Sequence, residues 1–139
     1  ATVVLATVLL AGCARRPRRT AKYPVFSARA SQDAIRTGAF ALVECSREQT
    51  RARLGRRPPD FSRARQKLAL ALLQLGPSRM HPYKPRYEKA ALGLQLALVA
   101  LDGIIAAGRI QDRQGESLGW EQFDRAVEIF MLALAKKRN

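Results

Sequence analysis

Histidine occurs once in these 139 residues and cysteine twice, so the side chains that most often carry metal and nucleophilic chemistry are scarce. His81 sits in a proline-rich stretch with no partner at a spacing suited to a catalytic dyad or a zinc site. A Gly-rich phosphate loop and a Gly-x-Ser-x-Gly elbow are both missing, and no pair of carboxylates is spaced for acid–base work. Asp112 and Glu116 bracket a short polar run, but calcium takes about six to eight oxygen ligands and Arg113 lies between the two, so a solvated turn is expected. These absences point away from an enzyme and call for no metal or cofactor.

Aromatic residues make up only 6% of the chain, and β-branched residues thin out after residue 45, which leaves little from which to build strands. Alanine and leucine dominate a hydrophobic fraction of 47%, and both favour helix. Beyond the first thirteen residues about 125 remain, enough for one domain with a core but not for two. An all-α single domain is expected.

Residues 1–13 are an almost unbroken apolar run ending Leu10-Ala11-Gly12-Cys13, the pattern that closes a bacterial-type lipoprotein signal. The run is too short to span a bilayer as a helix. On this reading Cys13 is lipidated, and a diacylated cysteine anchors firmly because each buried methylene adds about 0.8 kcal/mol. A plain export signal, or an organellar transfer segment cut near Gly12-Cys13-Ala14, is the alternative. With Cys13 carrying lipid, Cys45 has no disulfide partner and is expected as a buried small hydrophobe; with Cys13 free, a bridge between the two is conceivable in an oxidising compartment.

The formal charge of +14 is uneven, with 19 Lys/Arg against 5 Asp/Glu over residues 1–89 and six of each over 90–139. A basic region seeks phosphates, anionic headgroups or an acidic protein surface. Residues 14–30 hold an aperiodic tether whose Arg15, Arg16, Arg18 and Arg19 suit contact with an anionic membrane. Arg51, Arg53, Arg56, Arg57, Arg63 and Arg65 are the candidate partner-docking residues. Tyr83 and Tyr87 lie among cations, which keeps a nucleic-acid role open.

Periodicity predicts four helices. Ser31 caps a first that runs to about residue 53, with Ile35, Ala39, Leu42 and Val43 inward and Gly55 with Pro58-Pro59 as its stop. Asp60 caps a second, carrying Phe61, Leu68, Ala71, Leu72 and Leu75 and ending at Gly76-Pro77. A third spans 86–108 as the central helix, its densest stripe Leu94, Leu98, Leu101 and Ile105, with Gly108 ending it in the left-handed conformation. After a polar loop over 111–119, a fourth runs 120–137 on Trp120, Phe123, Val127, Phe130 and Leu134, closed by Lys136-Lys137-Arg138. Short loops between them give an up-down four-helix bundle over 31–138.

The region from Asp60 onward resembles the PsbQ-type extrinsic subunits of photosystem II. The likeness lies in Leu101-Asp102 followed by Ala106-Ala107-Gly108-Arg109, in Phe123, Val127, Phe130 and Leu134-Ala135-Lys136 of the last helix, and in Arg63-Ala64-Arg65 before Leu68. The resemblance implies a basic four-helix bundle on the lumenal face of the thylakoid membrane. It also implies a role in retaining the calcium and chloride of the oxygen-evolving site by covering neighbouring subunits rather than by ligating ions. Cyanobacterial members hang from an acylated N-terminal cysteine, which the Cys13 motif matches. The expected function is therefore a non-enzymatic accessory subunit docked by a basic face on the extracytoplasmic side of a membrane complex, in the thylakoid lumen or periplasm. A basic RNA-associated subunit of an organellar ribosome and an envelope lipoprotein are the alternatives.

Overall fold

A computed structural model of the chain describes residues 28–79 and 85–135, and within them every regular element is an α-helix. The helices are α1 (Ala28–Leu54), α2 (Ser62–Arg79), α3 (Pro85–Arg109) and α4 (Arg113–Leu134). Consecutive helices pair most extensively: α3 with α4, then α1 with α2, then α2 with α3, while α1 touches α3 over a short stretch. The all-α four-helix architecture expected from the apolar periodicity is the one observed. Among the described residues α1 and α4 share little backbone contact, so the seam that would close a square bundle is the loosest.

One core runs through all four helices. Ala34, Ile35, Ala41, Leu42 and Cys45 of α1 meet Leu68, Ala71 and Leu75 of α2, and Tyr87, Leu94 and Leu101 of α3 join them. Phe123 and Phe130 fill the α4 side. Trp120 is half-buried and stands edge-on to Phe61 and Phe123, with centroids 5.9 and 5.1 Å away. Of the expected α1 stripe, Ile35 and Leu42 are buried and Ala39 is half-buried, whereas Val43 is 47% exposed. Its place inside is taken by the column Ala34, Gly38, Ala41, Cys45 and Ala52, which the smallness of those side chains hides from a hydropathy pattern.

The helix ends differ from the sequence pattern in ways that have physical causes. Ser31 does not cap α1; the helix starts three residues earlier and Ser31 is buried within it. The segment Gly76-Pro77 does not stop α2 at once: the helix continues two residues beyond Pro77 to Arg79, although the proline removes one donor and crowds the carbonyl of Leu73. Gly108 lies within α3, and no described glycine has a positive φ; the left-handed residues are Gln111 (φ 57°) and Arg56 (φ 52°). Each sits two residues past the end of its helix in a doubly bonded C-terminal motif. Asp112 N–H donates to Ala107 O (2.9 Å) and Gln111 N–H to Gly108 O (3.1 Å); Arg57 N–H donates to Ala52 O (2.9 Å) and Arg56 N–H to Arg53 O (3.2 Å).

The polar run after α3 is not a free loop. Asp112 is the N-cap of α4, its Oδ1 accepting from Gly115 N–H at 3.0 Å, and Glu116 lies in the first turn. Gly115 and Gly119, which read as loop markers, are instead contact points between helices. A Cβ at Gly119 would stand 2.6 Å from Ile104, and one at Gly115 would meet the Asp112 carboxyl and, at 3.1 Å, Ala107. Gly93 is the least forgiving, because its missing Cβ would stand 2.8 Å from backbone, that of Phe130, rather than from a side chain that can move. α4 therefore begins seven residues before the expected start and lies close along α3.

Candidate docking interface

The two helices that carry most of the described basic residues bind most of their carboxylates internally. Glu48, 9% exposed, accepts from Arg57 Nη1 at 2.6 Å and Nη2 at 3.3 Å, and its Oε2 also accepts from the backbone N–H of Asp60 at 2.8 Å. This clamp fastens the α1–α2 turn. Hydrogen bonds from Arg57 and Asp60 hold the Glu48 carboxyl down at about 2. Glu44 receives Lys67 at 3.1 Å across the α1–α2 seam, and Asp60 accepts from the Ser62 hydroxyl and N–H at 2.7 and 3.1 Å, which lowers its own carboxyl below the usual range.

With these acids engaged, a set of arginines is left facing solvent. Arg51 and Arg63 border a cleft of about 330 Å³ together with Arg57, Glu44, Glu48 and Asp60. Arg47 lies one turn before Arg51 on the same flank of α1, and none of Arg47, Arg51 and Arg63 has an ion-pair partner among the described residues. Exposed apolar groups alternate with them: Phe40 at 64% and Val43 on α1, and Leu70 on α2. The outer α1–α2 surface is thus cationic and apolar at once, a composition suited to burying part of its area against an acidic surface.

The six expected docking arginines separate into three groups. Arg51 and Arg63 lie together at the cleft. Arg57 and Arg65 have internal tasks, Arg57 on Glu48 and Arg65 on Asp102 of α3, where two bonds of 2.6 and 3.0 Å tie α2 to α3 and lower the Asp102 carboxyl. Arg53 is exposed but ~200° round α1 from Arg51, and Arg56 is the left-handed cap residue. Arg47 was missed by sequence reasoning, although its i, i+4 spacing to Arg51 places both on one flank.

A second cleft, about 810 Å³, lies where the α1–α2 and α3–α4 turns come together, with Phe61, Ile104 and Ile105 as its apolar part and Arg65, Arg109 and Arg113 on its rim. Asp60 and Glu116 also line it, so its charges nearly cancel. No known protein family, curated protein or solved structure matches this chain. Its surface must therefore be read on its own chemistry.

Cys45 is fully buried and free, and burial pushes its thiol up to about 12, so it is inert. Tyr87 is buried too, with Arg86 over its ring at 5.0 Å, and is not presented for stacking on a nucleic-acid base. Among the described residues no group of three or more His, Cys, Asp or Glu gathers as a metal site. Cys13, Arg15, Arg16, Arg18, Arg19, His81, Tyr83 and the Lys136-Lys137-Arg138 run lie outside the described residues.

Proposed function

We propose that this chain is a non-enzymatic accessory subunit of a membrane complex, docking by the outer α1–α2 face on an acidic surface at the extracytoplasmic side. The observation that carries the reading is the solvent-facing set Arg47, Arg51 and Arg63, without ion-pair partners among the described residues, interleaved with Phe40, Val43 and Leu70. Charge steers the encounter, and the apolar groups contribute the area that long-range charge cannot supply. The lipoprotein-type motif ending at Cys13 supports a tether that confines the domain near the membrane and raises its effective concentration at the partner.

The resemblance of residues from Asp60 onward to PsbQ-type subunits makes photosystem II the candidate complex and stabilisation of its oxygen-evolving site, in the thylakoid lumen, the candidate role. Gentle isolation of the membranes that carry this chain, with the intact mass of the chain and identification of its co-purifying subunits, tests the reading. Diacylglyceryl on Cys13 and photosystem II subunits alongside are the expected result; ribosomal RNA, or no stable companion, contradicts it.

A further inference from the structure

The outward flank of α3, on the side away from α2, is apolar from Leu92 to the end of the helix. Leu92, Leu96, Val99, Gly103 and Ala106, continued by Ile110 just past the helix, recur at alternating spacings of four and three, the narrow seam of a coiled coil, and all six are exposed. α3 is long and apolar enough to cross a membrane by length and composition, yet half of its most apolar window is already buried in the fold. On α4 the matching flank carries Leu118 and Leu132, 55% and 70% exposed, because Trp120 and Phe123 turn the opposite flank toward Phe61.

Gly103 is the telling position. A glycine in mid-helix costs stability relative to alanine, and Gly38, Gly93 and Gly119 each have an internal reason, since a Cβ there would collide with Leu94, Phe130 or Ile104. A Cβ on Gly103 meets nothing within 4 Å. Like Gly76 of α2, Gly103 has no neighbour in the described fold that requires a glycine, and on this exposed stripe it leaves a notch open to a partner.

We propose that this face pairs with a second copy of the chain, the two α3 helices running antiparallel about a two-fold axis at Val99. The register is self-complementary. Leu92 of one copy falls opposite Ala106 of the other and Leu96 opposite Gly103, so large side chains enter the holes left by small ones, and Val99 meets itself. Glu88 falls beside the second copy's Arg109, opposite charges that have no ion-pair partner among the described residues. The α3–α4 register agrees: Gly93 lies at Phe130 and Ile104 at Gly119, so the level of Val99 is also the midpoint between Leu118 and Leu132 on α4. Arg125 stands at that midpoint, with Glu121, Asp124 and Glu128 within a turn of it. The face is about 27 Å long and ~20 Å wide across two helices, on the order of 500 Å² per copy or about 1,000 Å² in total, the size of a weak, concentration-dependent pair. It lies away from the basic α1–α2 surface, so pairing leaves that surface free.

Single-cysteine crosslinking in the full chain carrying Cys13→Ser tests the axis directly. Val99→Cys should form a disulfide-linked dimer on mild oxidation. Leu92→Cys should not, because two copies of that residue stand ~21 Å apart, whereas an equimolar mixture of Leu92→Cys and Ala106→Cys should crosslink. Cys45 stays silent in its buried site. Gly103→Leu, at an exposed position where an added Cβ meets nothing within 4 Å, should weaken self-association at least tenfold, read by light scattering, with helicity by circular dichroism unchanged. A monomer at 100 µM, equal crosslinking of Val99→Cys and Leu92→Cys, or protection of the Val99→Cys thiol only by phosphatidylcholine vesicles would each overturn the proposal.

Discussion

At Gln111 and Arg56 the backbone adopts φ values of 57° and 52°, a region that costs a residue bearing a Cβ about 1 kcal/mol. Gln111→Gly should therefore stabilise the domain by about 0.5–1 kcal/mol, a rise of roughly 3–8 °C in melting temperature, read by calorimetry. No change or a fall would show that the Gln111 side chain contributes more than its backbone costs. The glycines that sequence reasoning assigned to these ends, Gly55 and Gly108, stand before the left-handed residue, an offset that composition does not reveal. Glu48 is the second residue whose role was invisible: nothing in the local pattern links it to Arg57 and to the Asp60 amide. Its carboxyl is held at about 2, below its ordinary value of about 4.5, so its contribution is fully present above pH ~4.5 and is lost as pH falls through 2. A melting-temperature profile from pH 6 to 2 should fall more steeply for the native chain than for Glu48→Gln, which lacks that titration. Parallel profiles would remove the clamp from the account.

Among the elements, α2 and α3 were the most legible. Phe61, Leu68, Ala71 and Leu75 are buried as their spacing required, and Pro85 opens α3 where a proline fits the first helical turn. α4 was the least legible at its start, because Gly115 and Gly119 signal a loop by composition and serve a helix contact by geometry. The two uses of glycine separate in one experiment. Gly93→Ala drives a Cβ into the Phe130 backbone and should destabilise by about 1–3 kcal/mol, the cost of overpacking. Gly103→Ala adds a Cβ in open space and should stabilise the monomer by about 0.5–1 kcal/mol through helix propensity. Urea midpoints at low protein concentration check both, and equal effects of the same sign would contradict the tight α3–α4 approach.

For the molecule as a whole, the fold class followed from what is scarce, aromatics and β-branched residues, and from apolar spacing. The basic surface followed only in part. Counting arginines located a basic region, but pairing decides which of them are left facing solvent. Arg57 and Arg65 are drawn inward by Glu48 and Asp102, partners 9 and 37 residues away in sequence, while Arg47 joins Arg51 and Arg63 outside. A one-dimensional pattern carries no information on such tertiary ion pairs.

Binding of this outer face to an acidic surface of a membrane complex, as proposed above, is read from retention of the chain on its native membranes across a salt series, comparing the native sequence with the Arg51→Glu, Arg63→Glu double variant. Both residues are exposed and lack ion-pair partners among the described residues, but they share a cleft with Glu44, Glu48 and Asp60, so helicity and melting temperature of the variant are read alongside to separate lost docking from lost folding. The native chain should be released progressively as salt screens the contact, and the variant should be retained at least tenfold less at low salt, with a flatter salt dependence. Equal retention of both at every salt concentration would contradict it.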